Sequence, residues 1–168
     1  NANPDNVRNK ADIGGGGILD IGCYPITTGR FLFESEPERV VSLVERDPNF
    51  GTDRLASAIL DFGAGKRLTF TCSTQLVPHQ RVQVFGTKGK LEILIPYNAP
   101  ANERTAITVD TGSPIDGSLA RREILPACDQ YTEQARAFAA AVLGETPLPY
   151  GIDDAIASMK VIDAIFRS

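Results

Sequence analysis

The chain has 168 residues, of which 42% are hydrophobic and 23% charged, with a net charge of -4 at pH 7. That length suits one domain with a substantial core, and two independent cores would be crowded. No apolar stretch approaches the roughly 20 residues that span a bilayer. The basic residues occur singly or in pairs, such as Lys66 with Arg67 and Arg121 with Arg122. Such scatter leaves no stripe for a phosphate backbone, so neither a membrane nor a nucleic acid is expected as partner. Cys23, Cys72 and Cys128 are odd in number and lack CxxC spacing, which argues against a disulfide framework and a zinc site; all three are expected reduced and packed. With His79 as the single histidine, no multi-histidine metal site or Ser/His/Asp triad is available, and His79 reads as structural.

In chain order, Asn1 to Ile13 is polar and reads as an extended arm or loop. The glycine run Gly14 to Gly17 then opens a helix over Ile18 to Phe33, with Ile18, Gly22, Ile26 and Phe33 near one face. Gly22, Pro25 and Gly29 all weaken this helix, and Pro25 removes the donor that the Ile21 carbonyl would have used. Tertiary packing must therefore hold it.

From Arg39 the period changes to that of strands: Arg39 to Arg46, Arg54 to Phe62, Lys66 to Leu76, Gln80 to Phe85, Lys90 to Ile95, Thr105 to Asp110 and Leu119 to Leu125. Asp61 to Gly65 and Gly86 to Gly89 read as hairpin connections. Short links without helices imply antiparallel pairing. Two helices close the chain, Asp129 to Leu143 and Ile152 to Phe166, separated by Gly144-Glu145-Thr146-Pro147. Their stripes, Tyr131, Ala135, Phe138 and Val142 on the first and Ile152, Ile156, Met159, Ile162 and Phe166 on the second, read as core. The fold class expected is α+β: an open, predominantly antiparallel sheet with helices packed on one face.

Chemistry is best sought after the glycines. Asp20 and Tyr24 are four apart, about 6 Å along a helix axis, and can converge on one small molecule. A carboxylate orients a hydroxyl, and a phenol beside a cation relays a proton. Spacing alone equally allows Asp20 to salt-bridge locally while Tyr24 packs with its hydroxyl at the surface. A nucleotide phosphate cradle is disfavoured, because no strand precedes the run and no Gly-Lys-Ser/Thr follows.

Gly15-Gly16-Gly17-Ile18-Leu19-Asp20-Ile21-Gly22-Cys23-Tyr24 resembles the signature that opens the C-terminal domain of the Gfo/Idh/MocA family, the glucose-fructose oxidoreductases and inositol dehydrogenases. Asp20 falls on the family's aspartate and Tyr24 on its His/Tyr position. Phe85 to Glu92 resembles a hairpin of the family's sheet, and Tyr131 with Gln134 and Phe138 its penultimate helix.

The resemblance implies that residues 1–168 form a C-terminal substrate-binding and oligomerisation domain. It further implies an N-terminal Rossmann domain, absent from these residues, that binds NAD or NADP and supplies a lysine from a Glu-Lys-Pro motif. No cofactor is expected on this chain alone, which is expected to be inactive, and no metal. Asp20 and Tyr24 would be catalytic and contact substrate; Arg8, in the arm that feeds the glycines, would either reach the same cleft and bind substrate or be a surface charge. The tyrosine points to the branch resembling dihydrodiol and xylose dehydrogenases. The function implied is hydride transfer between nicotinamide and a sugar, polyol or cyclic diol hydroxyl, in a cytoplasmic homo-oligomer formed through the sheet face. The alternatives are a non-catalytic dimerisation module and a standalone sugar-binding domain.

Overall fold

A computed structural model describes residues 3–168. All seven expected strands form: β1 Arg39–Arg46, β2 Asp53–Asp61, β3 Arg67–Ser73, β4 Arg81–Gly86, β5 Gly89–Leu94, β6 Thr105–Asp110 and β7 Arg121–Leu125. Every ladder between them is antiparallel. Three α-helices complete the chain: α1 Cys23–Phe33, α2 Gln130–Val142 and α3 Ile152–Arg167.

The strands do not form one continuous meander. They divide into a three-stranded sheet, β1-β2-β3, and a four-stranded sheet, β4-β5-β6-β7. The chain divides with them into two compact units, one running up to Val77 and including Tyr150–Ser168, the other Pro78–Pro149. The break has a local cause. The hydroxyl of Ser73 accepts the amides of Gln75 and Leu76 at 3.0 and 3.2 Å, turning the chain out of β3, and Pro78 has no amide to extend the ladder.

In the first unit, Ala56, Ala58 and Leu60 alternate along β2 and face inward with Cys72 of β3. Two alanines on a central strand lower that face, so helices can approach it closely. Ile18 and Ile26 from the first helical segment, and Val161, Ile162 and Ile165 from α3, complete the buried cluster. Fully burying side chains of this size stabilises by about 1.5–3 kcal/mol each. Ser42 on β1 locks α3 in register, its hydroxyl donating to the Ile165 carbonyl at 2.6 Å.

The helix expected over Ile18 to Phe33 is present but changes type within its length. Ile18–Gly22 is a π turn, closed by the Cys23 amide donating to the Ile18 carbonyl, and α1 follows without a gap. Pro25 follows three residues after the π turn and supplies no amide to the carbonyls of that turn, whose wider winding accommodates the proline. The arm before the glycines contains 3-10 turns at Val7–Asn9 and Ala11–Ile13 and is not extended there; its first two residues lie outside the described ones.

Two expectations about packing are corrected. No residue of α2 is buried, and Tyr131 is 67% exposed with Phe138 and Val142 similarly open. On α3, burial falls on Val161, Ile162 and Ile165, while Ile152, Ile156, Met159 and Phe166 remain exposed. A helical stripe reports a face suited to being covered, not that the same chain covers it. The cysteines are free, but Cys128 is exposed rather than packed. His79 is exposed as well.

In the second unit, Gly86 and Gly89 pair across a two-residue turn that joins β4 to β5. Asp110 at the end of β6 accepts the amides of Gly112 and Ser113 and meets Lys90 at 3.4 Å. Bonds from Ser113, with lesser help from Gly112 and Lys90, hold its carboxyl down at about 2.

Candidate active site

The glycine run is packed against its own protein. A Cβ on Gly15 would stand 2.7–2.8 Å from the carbonyl oxygens of Val7, Arg8 and Lys10. One on Gly16 would stand 1.9 Å from Oδ1 of Asp53, and Gly16 has a φ of +121°. Side chains rarely tolerate either condition. The glycines are therefore required by the arm on one side and β2 on the other.

The amides of the run are committed too. Gly14 donates to Ala11, Gly15 to Lys10 and Gly16 to Arg8, at 3.4, 2.9 and 2.9 Å. Ile18 donates to Oδ2 of Asp53 at 2.6 Å, and the Gly17 amide helps to hold down the proton affinity of the same carboxylate. A phosphate cradle needs unpaired amides. Here the amides of Gly14, Gly15, Gly16 and Ile18 are all taken by the protein itself.

The same bonds bring Arg8 to the helix. Asn6 caps the turn Val7–Asn9 by accepting the Arg8 amide at 3.0 Å, and the Gly16 amide holds the Arg8 carbonyl. From there Nε of Arg8 donates to Oδ2 of Asp20 at 2.5 Å. The hydrogen bond and the charge of Asp20 raise the Arg8 guanidinium above its ordinary value, and Tyr24 makes a lesser electrostatic contribution in the same direction. Arg8, Asp20 and Tyr24 thus share one electrostatic neighbourhood. The arrangement in which Asp20 is salt-bridged and Tyr24 lies at the surface is the one present: Asp20 is ion-paired to Arg8, and Tyr24 is 44% exposed. A half-exposed carboxylate, cation and phenol in one patch can orient a substrate hydroxyl and move its proton.

Sequence reasoning did not single out Asp53. It lies at the first position of β2, a place where aspartate is ordinarily disfavoured, and it is 2% exposed. Burial pushes its carboxyl up, against the opposing pull of the Ile18 and Gly17 amides. Its link to Ile18 spans 35 residues of sequence, and no local pattern announces such a pair. Arg30, also passed over, is 9% exposed and joins α1 to Glu36 at 2.8 Å and to Asp154 of α3 at 2.8 Å. Among the described residues there is no group of three or more His, Cys, Asp or Glu side chains placed to hold a metal ion.

The fold and site together define an antiparallel α+β domain opened by a glycine run and a π turn that carries Asp20, with Tyr24 on the helix that follows. The profile of the GFO/IDH/MocA C-terminal domain matches residues 1–92, and the chain belongs to that family. It is 39% identical over 168 residues to the uncharacterized oxidoreductase ORF334 of Rhizobium meliloti, covering 100% of this chain and 50% of the relative. It is 32% identical over 167 residues to D-xylose 1-dehydrogenase (NADP(+)) 2 of Haloferax volcanii, covering 98% and 49%. The fold matches KijD10, a 3-ketoreductase from Actinomadura kijaniata in complex with NADP and TDP-benzene, with a TM-score of 0.85 at 24% identity over 98% of this chain and 50% of that one. The chain spans about half the length of the curated relatives it matches.

Proposed function

We propose that this chain is the substrate domain of an NAD(P)-dependent oxidoreductase acting on a hydroxyl of a sugar, polyol or cyclic diol. The observation that carries the reading is the Arg8–Asp20 ion pair with Tyr24 one helical turn beyond Asp20 on the family's glycine signature. Asp20 accepts a hydrogen bond from the substrate hydroxyl and orients it. Tyr24 takes up or returns the hydroxyl proton, and Arg8 holds Asp20 in place while favouring negative charge nearby.

A nicotinamide cofactor supplies the hydride exchange when bound. The glycine run does not fit its phosphates, because the amides of Gly14, Gly15, Gly16 and Ile18 are already committed. We assign the cofactor, together with a lysine from a Glu-Lys-Pro motif, to an N-terminal Rossmann domain of the same polypeptide. NADP is the cofactor to try first, since the related xylose dehydrogenase of Haloferax volcanii is an NADP(+) enzyme; NAD is the second. The three free thiols suit a reducing compartment, which supports a cytoplasmic site of action. Among the described residues no helix is long and apolar enough to cross a membrane.

The outer face of the first sheet supports homo-oligomer formation. Val41, Leu43 and Ile59 are exposed there side by side, and Leu43 is 80% exposed. Monomeric proteins seldom leave such a patch on a sheet uncovered. This face also favours the second reading, a module whose role is assembly rather than catalysis.

One experiment separates the two. In the full-length polypeptide, Tyr24→Phe and Asp20→Asn are each expected to lower kcat by about 10²- to 10⁴-fold, the usual scale for losing a general acid or base. Cofactor affinity should be unchanged. Near-normal rates in both variants would leave only the assembly reading.

A further inference from the structure

Asp53 is buried, titratable and unused by the proton transfer described above. Among the described residues it forms no salt bridge, yet its two oxygens meet the glycine run at consecutive points. Oδ2 accepts the Ile18 amide at 2.6 Å and lies 3.3 Å from where a Cβ on Gly17 would stand. Oδ1 fills the place where a Cβ on Gly16 would stand. Gly16 in turn donates its amide to the Arg8 carbonyl at 2.9 Å and accepts the Asp20 amide on its own carbonyl at 3.4 Å. The backbones of both ion-pair partners are thus tied to one glycine that rests on Asp53.

A carboxylate in this place works against its own burial, and the resulting upward push on its proton affinity shows the cost. The amides at the positive end of the helical segment that begins at Ile18 offset part of it. A neutral side chain of similar size would avoid the cost but would bind the Ile18 amide less tightly.

We propose that Asp53 is a positioning residue: held beneath the glycine run, it sets the separation of Arg8 and Asp20 and the start of the π turn that leads to Tyr24. This inference rests on the reading of those three residues as the reacting cluster. Asp53 itself touches no substrate.

The test uses the full-length polypeptide with the fastest wild-type substrate from a panel of aldoses, polyols and cyclic diols, with NADP or NAD. Asp53→Asn keeps the shape and removes the charge. It is expected to lower kcat about 10- to 100-fold, the scale of a misplacement of about 1 Å in an active site. The cofactor dissociation constant should be unchanged, and the inflection of the pH–rate profile should move. Gly17→Ala is the milder companion. Gly17 has ordinary helical angles, and the added Cβ would stand 3.3 Å from Oδ2, so the carboxylate must yield by a few tenths of an ångström. A several-fold fall in kcat is expected there.

Rates are expressed per cofactor-binding site, so loss of folded protein does not count as loss of turnover. If both variants keep the wild-type kcat and pH profile and lose only thermal stability, Asp53 is merely structural and the inference is overturned. If Asp53→Asn does not fold, Gly17→Ala decides by the same criterion. Near-normal rates in Tyr24→Phe and Asp20→Asn, or no turnover of any panel member by the wild type, would instead overturn the underlying reading.

Discussion

Oδ1 of Asp53 lies 1.9 Å from the position that a Cβ on Gly16 would occupy, so the carboxylate on β2 and the bare backbone of the glycine run each exclude any larger version of the other. The identity of residue 16 is thus decided by a side chain 37 positions away. What looks in sequence like an opening for a ligand is filled from below by the protein.

Gly16→Ala should therefore be among the most destabilising single substitutions in the chain. It combines a φ of +121° with a buried clash, and the expected cost is about 3 kcal/mol or more. The cost should be smaller when the substitution is made in an Asp53→Ala background, because one of the two penalties is then gone. A double-mutant cycle by denaturant unfolding checks this. Strict additivity would show that the clash is relieved in some other way.

Asp53 also sets a pH dependence of stability. Its carboxyl is raised in the folded protein, burial being the main cause, so the folded state binds the proton more tightly than the unfolded chain does. The contribution of this group is then fully present below the ordinary carboxylate value of 3.8 and is lost as pH rises through the raised value. Relative to Asp53→Asn, the wild type should gain stability on acidification through that window. Thermal melts of both proteins from pH 7 to pH 4 test the sign, and a difference that moves the opposite way refutes it.

Arg30 predicts the reverse behaviour. Its guanidinium, bonded by Nε and Nη2 to the two oxygens of Glu36 at 2.8 Å each, holds the Glu36 carboxyl below its usual value. It also donates to Ser158 at 2.7 Å and pairs with Asp154, so one side chain ties α1 to α3. Arg30→Met should cost about 1–2 kcal/mol, less than a fully buried pair because Glu36 is largely solvated. Glu36 contributes stability above its unfolded value that is lost as pH falls through its lowered one. The difference between Arg30→Met and the wild type should shrink below about pH 4, the ordinary range of a carboxylate. Melting both proteins at pH 7 and pH 3 checks it.

Leu43→Lys tests the sheet face. The residue is exposed on β1 beside Val41 and opposite Ser57. The substitution should move the full-length protein towards monomer in sedimentation velocity while changing the unfolding free energy of the isolated subunit by no more than about 0.5 kcal/mol. An unchanged assembly state would remove this face as the interface.

Much of the fold was legible because strand signals here are local. Turn residues at Asp61 to Gly65 and Gly86 to Gly89 placed hairpins at the correct points, and β1 and β6 have the boundaries that alternation suggested. The break between β3 and β4 was not legible. It depends on the Ser73 hydroxyl turning back onto Gln75 and Leu76, a bond that serine forms in one context and not in another. The stripe on α2 was visible as a pattern, but a pattern does not say what covers it.

For the candidate site, the sequence by itself determined the family signature, the spacing of Asp20 and Tyr24, and the presence of a helix too poor in propensity to stand alone. Only the tertiary structure decided that the helix begins as a π turn, that Arg8 folds back from the arm onto Asp20, and that Asp53 lies beneath the glycines. The physical reason is range. Propensity and spacing act within a few residues, whereas the buried amides of a glycine run must find acceptors wherever the chain supplies them, and here one acceptor came from the start of β2.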